Sequence, residues 1–146
     1  MRIVLDTNVL VRAFVSPTGP AAEVLHHIRS PHALVASDHL LQELSRVLLY
    51  RHVQSLHGMG PSDIQDWMSA LAAGAILVAQ PTTLTTPIVH SDPDDDQVIA
   101  AAIGGRADVL CTLDKHLRER RVVGFCAQFG IRVLTDVELL SELRTL

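Results

Sequence analysis

Five short, mostly apolar runs recur along the sequence: Ile3-Val4-Leu5, Ala33-Leu34-Val35-Ala36, Ala75-Ile76-Leu77-Val78, Asp108-Val109-Leu110-Cys111 and Ile131-Arg132-Val133-Leu134. Between them lie stretches with helical spacing of apolar residues. Strands alternating with helices at this spacing imply parallel strands joined by right-handed crossovers. The expected fold is therefore α/β, a three-layer α/β/α sandwich around a central, mainly parallel sheet. No internal repeat and no long linker interrupts the pattern, so residues 1–146 are expected to form one domain.

The punctuation between runs supports this order. Thr7-Asn8 open a helical pattern through Val9, Leu10, Ala13 and Phe14, and Pro20 suits the first position of a helix over Ala21 to Arg29. Ser37 or Asp38 is placed to cap a helix reaching about Arg51, and Pro61-Ser62-Asp63 starts another that Gly74 ends. Asp92-Pro93 reads as an N-cap and first helical residue, with Gly104-Gly105 as the stop. A short helix is expected over Asp114 to Arg121, and Thr135 caps a last one through Leu143.

Composition narrows the function classes. A chain of 146 residues, 48% hydrophobic, buries roughly 68–70% of its unfolded surface and has a core without disulfides. The formal charge of −4 and pI of about 6.0 argue against nucleic-acid binding through bulk positive charge, which usually brings a pI above about 9. Cys111 and Cys126 show neither CxxC spacing nor scaffold density, which suits reduced thiols in a cytoplasmic protein. The amino-terminal stretch reaches Asp6 too early for a signal peptide. The segment from Trp67 to Ser91 lacks charged residues, but its Gly74, Gln80, Pro81, Pro87 and threonines read as helix end, strand and loop, not a membrane span.

Four acids fall where a solvated face would not put them. Asp6 ends the first buried run, and Asp114 lies just beyond Val109-Leu110-Cys111, so both belong at the carboxyl ends of strands, where open α/β sheets bind ligands. Glu43 borders the apolar stripe Leu40, Leu44, Val47 and Leu48, and Asp96 precedes Ile99, Ala100 and Ile103 at helical spacing. Buried carboxylates are paired, hydrogen-bonded or bound to metal. Asp6 has an alternative role as a helix cap, which Thr7 or Asn8 would fill equally well, and Glu43 has one in a surface pair with Arg46. Asp92 reads as an N-cap, Asp94 as a solvated first-turn acid, and Asp95 as either that or part of the site. Oxygen-only donors favour Mg²⁺ or Mn²⁺ over zinc. The histidines form no HExxH or HxxxH pair, and His116, beside Asp114, is the one placed to matter.

Four segments in order carry a family likeness: Asp6-Thr7-Asn8-Val9-Leu10, Glu43 within Leu41-Gln42-Glu43-Leu44, Asp92-Pro93-Asp94-Asp95-Asp96, and Thr112-Leu113-Asp114-Lys115-His116-Leu117. The sequence resembles the PIN domain from Arg2 to about Leu140, and Ser16-Pro17-Thr18-Gly19-Pro20-Ala21 resembles its branch of VapC-like toxin components of toxin–antitoxin systems. The resemblance implies a metal-dependent ribonuclease with Asp6, Glu43, Asp96 and Asp114 as metal-binding acids, and Mg²⁺ or Mn²⁺ as cofactor. It implies supporting roles for Asn8 and Thr112, and a water-mediated share for Asp92 or Asp95. Lys115, His116, Arg118, Arg120 and Arg121 are candidates for holding the RNA backbone, with a solvated helix face as the alternative. The implied partners are an RNA substrate, a cognate antitoxin and a second copy in a homodimer.

Two other readings compete. A non-catalytic PIN-like module would bind RNA or protein without cutting. A haloacid-dehalogenase-type phosphatase also ends its first strand in Asp, but resembles Asp-x-Asp, and here the third position is Asn8.

Overall fold

The computed structural model describes residues 1–79 and 93–146, and for residues 93–95 the backbone alone. The expected Asp92 cap and most of the threonine-rich connection after Val78 lie outside the described residues.

Five strands, β1 (Arg2–Leu5), β2 (Ala33–Ser37), β3 (Ala75–Val78), β4 (Val109–Cys111) and β5 (Arg132–Leu134), form one sheet in the order β3-β2-β1-β4-β5. Every pairing is parallel. Val4 lies between Val35 of β2 and Leu110 of β4, at the centre of the core. Strands covered on both faces need unbroken apolar runs, and Ile3, Val4, Leu5, Val109, Leu110 and Cys111 are completely buried. β3 lies at the sheet's edge, so Ile76 and Leu77 remain partly exposed.

The helices are α1 (Thr7–Val15), α2 (Pro20–His27), α3 (Asp38–Leu48), α4 (Arg51–His57), α5 (Pro61–Ala73), α6 (Pro93–Gly104), α7 (Arg120–Ala127) and α8 (Asp136–Thr145). With right-handed crossovers, connections running β1 to β2 to β3 cover one face, and those returning through β4 to β5 cover the other. The packing agrees. α1 packs on α2, α3 and α4, and α8 on α2, while α6 lies along β1, β2 and β4.

Most boundaries fall where the punctuation puts them. Pro20 and Pro61 occupy the first helical turns of α2 and α5. The Ser37 hydroxyl, not Asp38, accepts Leu40 N–H at 3.2 Å to cap α3, and Thr135 with Glu138 forms a reciprocal cap on α8.

Two expectations are corrected, and one alternative is decided. α3 stops at Leu48, and the chain restarts as α4, a separate helix. Residues 115–118 form a turn where the Asp114–Arg121 helix was expected, and α7 begins only at Arg120. Of the three residues suited to cap α1, it is Asp6 that does so, its carboxylate accepting Thr7 N–H at 2.8 Å.

The end of α6 divides one expected role between two residues. Ala107 N–H bonds to Ala102 O and Arg106 N–H to Ile103 O, the Schellman pattern, with Arg106 left-handed at φ 51°. Glycine is required instead at Gly105, where a Cβ would overlap Val35 Cγ1 and crowd Val78 Cγ2 at 3.1 Å. This contact lets α6 lie close to the sheet.

Candidate metal centre at the carboxyl edge

The chain passes from β1 to β2 in one direction and later returns to place β4 on the other side of β1. The β1–β4 boundary is thus the point where strand order reverses, and in open α/β sheets ligands bind in the crevice beyond it. Asp6 stands there. Its N–H continues the pairing by donating to Cys111 O at 2.9 Å, so the residues after β1 and after β4 face each other.

Asp6 is 5% exposed, and each of its carboxylate oxygens accepts one hydrogen bond. Oδ1 accepts Thr7 N–H at 2.8 Å, and Oδ2 accepts the Thr112 hydroxyl at 2.7 Å. Burial nevertheless pushes its pKa up to about 6; the two hydrogen bonds oppose the rise, and the neighbouring charges of Glu43 and Asp114 add to it. Three of the four expected acids therefore interact electrostatically at one edge.

Their orientation comes from two threonines. Thr7, buried in the first turn of α1, donates its hydroxyl to Glu43 Oε2 at 2.9 Å, aiming Glu43 toward Asp6 and joining α3 to α1. Thr112, completely buried, donates to Asp6 while its oxygen accepts Asp114 N–H at 3.0 Å. Asp114 Oδ1 then accepts His116 N–H at 2.8 Å and closes the turn that replaces the expected helix. Asn8 Oδ1 accepts Leu113 N–H at 3.3 Å, holding this turn against α1.

Asp96 is half-buried near the start of α6. The other end of that helix is held toward the amino edge, where the Arg2 guanidinium donates to Gly105 O at 3.1 Å. Nine residues of helical rise, about 13 Å, direct Asp96 back toward the carboxyl edge. Asp92 lies outside the described residues, and so does the side chain of Asp95.

The basic residues are less uniform than their spacing suggested. Lys115, Arg118, Arg120 and Arg121 are exposed. His116 is half-buried, with Nδ1 3.3 Å from Glu119 Oε1.

The sequence reading missed two participants at this edge. Thr7, which the sequence offers as a helix opener, orients Glu43 through its hydroxyl. Asp136, in the first turn of α8, is 1% exposed and lies close enough to the Cys111 thiol that, after burial, it contributes most to raising that thiol's pKa, ahead of Asp6 and Glu138. The available signal was position: Asp136 lies two residues beyond β5, as Asp6 lies directly beyond β1.

Among the described residues, no three His, Cys, Asp or Glu side chains are disposed to hold one ion. The donor chemistry does fit a hard divalent cation. The donors are oxygens only, each Asp6 oxygen keeps a lone pair beyond its hydrogen bond, and the mutual repulsion of Asp6, Glu43 and Asp114 is what a cation would relieve.

Residues 2–116 match a family model described as the PIN domain. The matched span contains Asp6, Glu43, Asp96 and Asp114, and it stops short of β5, which hydrogen-bonds to β4 in the same sheet. No curated protein matches the sequence. Among the described residues, no helix is long and apolar enough to cross a membrane.

Proposed function

The chain belongs to the PIN domain family, whose members are typically nucleases, and from that premise we propose that it is a Mg²⁺- or Mn²⁺-dependent endoribonuclease. The observation that carries the proposal is Asp6: a buried carboxylate at the switch point of the sheet, with its pKa raised beside Glu43 and Asp114. Asp6 and Asp96 are the direct ligands in this reading, and Asp114 and Glu43 complete the shell or orient water. A divalent ion held there would acidify a bound water and offset the charge on the departing oxygen.

The chain's own residues set the stage for that chemistry. Thr7 and Thr112 fix the directions of Glu43 and Asp6, and Asn8 holds the turn bearing Asp114. Lys115, Arg118, Arg120 and Arg121 offer exposed cations beyond Asp114 for the RNA backbone. Asn8 also disfavours the phosphatase reading, because its oxygen is engaged by Leu113 N–H where that class carries a second Asp.

The finer assignment is the toxin of a type II toxin–antitoxin system, supported by the Ser16–Ala21 likeness. It brings a cytoplasmic location, a homodimer and a cognate antitoxin covering the acidic crevice. The test is cleavage of messenger and structured RNAs by purified protein with Mg²⁺ or Mn²⁺. EDTA stops cleavage if the proposal holds. Cleavage indifferent to EDTA sinks the metal mechanism, and no cleavage of any RNA leaves the binding-module reading.

A further inference from the structure

Arg12 and Asp136 form an ion pair unlike two other arginine–carboxylate pairs among the described residues. Arg132 Nη1 meets Glu142 Oε1 at 2.6 Å, and Arg144 grips Glu23 with two bonds of 2.9 and 2.7 Å. Those are closed surface pairs. Arg12 Nη1 stands 3.6 Å from Asp136 Oδ2, too far for a hydrogen bond, with side-chain exposures of 55% and 2%. Asp136 Oδ1 accepts Val137 N–H at 2.9 Å, whereas Oδ2 has no hydrogen-bond partner. A buried carboxylate oxygen without a partner is costly. The guanidinium offsets its charge while keeping its N–H donors uncommitted to Asp136.

The location gives those donors a use. Arg12 lies one turn after Asn8 on the exposed face of α1, and Asn8 touches the turn that carries Asp114. Helical side chains lean toward the helix N-terminus, which for α1 is the edge capped by Asp6. Its partner Asp136 lies at the same edge, in the first turn of α8 just beyond the carboxyl end of β5. An exposed, planar cation is thus fixed at the rim of the acidic crevice on the β4–β5 side, and such a fork suits the oxygens of a phosphodiester.

We propose that Arg12 is a phosphate-anchoring residue that contacts the backbone of nucleic acid bound across the carboxyl edge, with buried Asp136 as its positioning residue. This rests on the nuclease reading and adds a contact outside the acids and the basic turn.

The experiment measures binding of a fluorescein-labelled single-stranded RNA to the Asp6→Asn protein, which keeps the complex uncut, over a range of salt. Adding Arg12→Gln is expected to weaken binding about tenfold, the value of one charge-assisted contact. It should also reduce the slope of log K against log salt by about 0.7, one phosphate contact on a single strand. Arg12→Lys restores the slope and part of the affinity. Asp136→Asn weakens binding with the slope unchanged, because the cation remains but is no longer held. A purely structural tie between α1 and α8 would leave the salt slope unmoved in every variant. Unchanged slope and affinity in folded Arg12→Gln overturn the proposal while the parent's RNA binding still stands. A parent that binds no RNA at all overturns this proposal and the nuclease reading together.

Discussion

Thr112 donates its hydroxyl to Asp6 Oδ2 at 2.7 Å, joining two residues that are 106 positions apart in sequence and adjacent at the carboxyl edge of β1 and β4. The Thr112 hydroxyl oxygen also accepts Asp114 N–H at 3.0 Å, so one buried hydroxyl sets two of the acids. Thr112→Val keeps the shape and removes both bonds. It should cost about 1–3 kcal/mol and abolish RNA cleavage, while Thr112→Ser keeps most of each. Thermal melts and cleavage rates of the two variants check this; Val behaving like Ser would show that the hydroxyl is dispensable.

Asp6 predicts an unusual pH dependence of stability in chelator. Its folded pKa of about 6 lies above the ordinary 3.8, so between those values the native state binds more protons than the unfolded one. Stability from this group is complete below about pH 3.8 and is lost as pH rises through 6, by about 3 kcal/mol in all. Glu23 and Glu142, held below their usual range chiefly by hydrogen bonds from Arg144 and Arg132, act in the opposite sense from exposed positions. The difference in urea-unfolding free energy between wild type and Asp6→Asn isolates the Asp6 contribution, and a flat difference from pH 4 to 7 would contradict it.

Asp6→Asn should consequently be more stable than the wild type at neutral pH, although it cuts no RNA. Removing a buried charge while keeping a cap for α1 is a common exchange of activity for stability. Differential scanning calorimetry at pH 7.5 without metal should show a higher melting temperature, with the stabilisation by added Mn²⁺ reduced or lost.

At the end of α6 two neighbouring substitutions should act in opposite directions. Arg106→Gly relieves a left-handed residue and is expected to stabilise by about 1 kcal/mol. Gly105→Ala drives a methyl into Val35 and should destabilise by about 1–3 kcal/mol. Chemical denaturation of both variants distinguishes this from a general preference for glycine at the helix end.

The parts of this architecture that repeat along the chain were legible in its residues. The unbroken apolar runs revealed the strands, and the acids that end two of them revealed the edge at which Asp6 and Asp114 meet. Glu43 was legible because it borders an apolar stripe. Helix α4 was hidden because Leu49 and Tyr50 continue the apolar character of that stripe past the true end of α3 at Leu48. The turn after Asp114 was hidden because its carboxylate satisfies His116 N–H locally, a competition with helix formation that spacing does not register. Asp136 resembled an ordinary first-turn acid, and only the packing of α8 buries it. Which strands neighbour β1, and hence that Thr112 reaches Asp6, is a property of the tertiary fold.

In the proposed reading, the acids at the carboxyl edge share a divalent ion. Anomalous diffraction from a crystal soaked in Mn²⁺ tests it most directly. A peak is expected about 2.0–2.2 Å from a carboxylate oxygen of Asp6, with Asp96 as the second direct ligand and Glu43 and Asp114 around it. A Mn²⁺ peak remote from Asp6, or none at the β1–β4 edge under saturating metal, would contradict it.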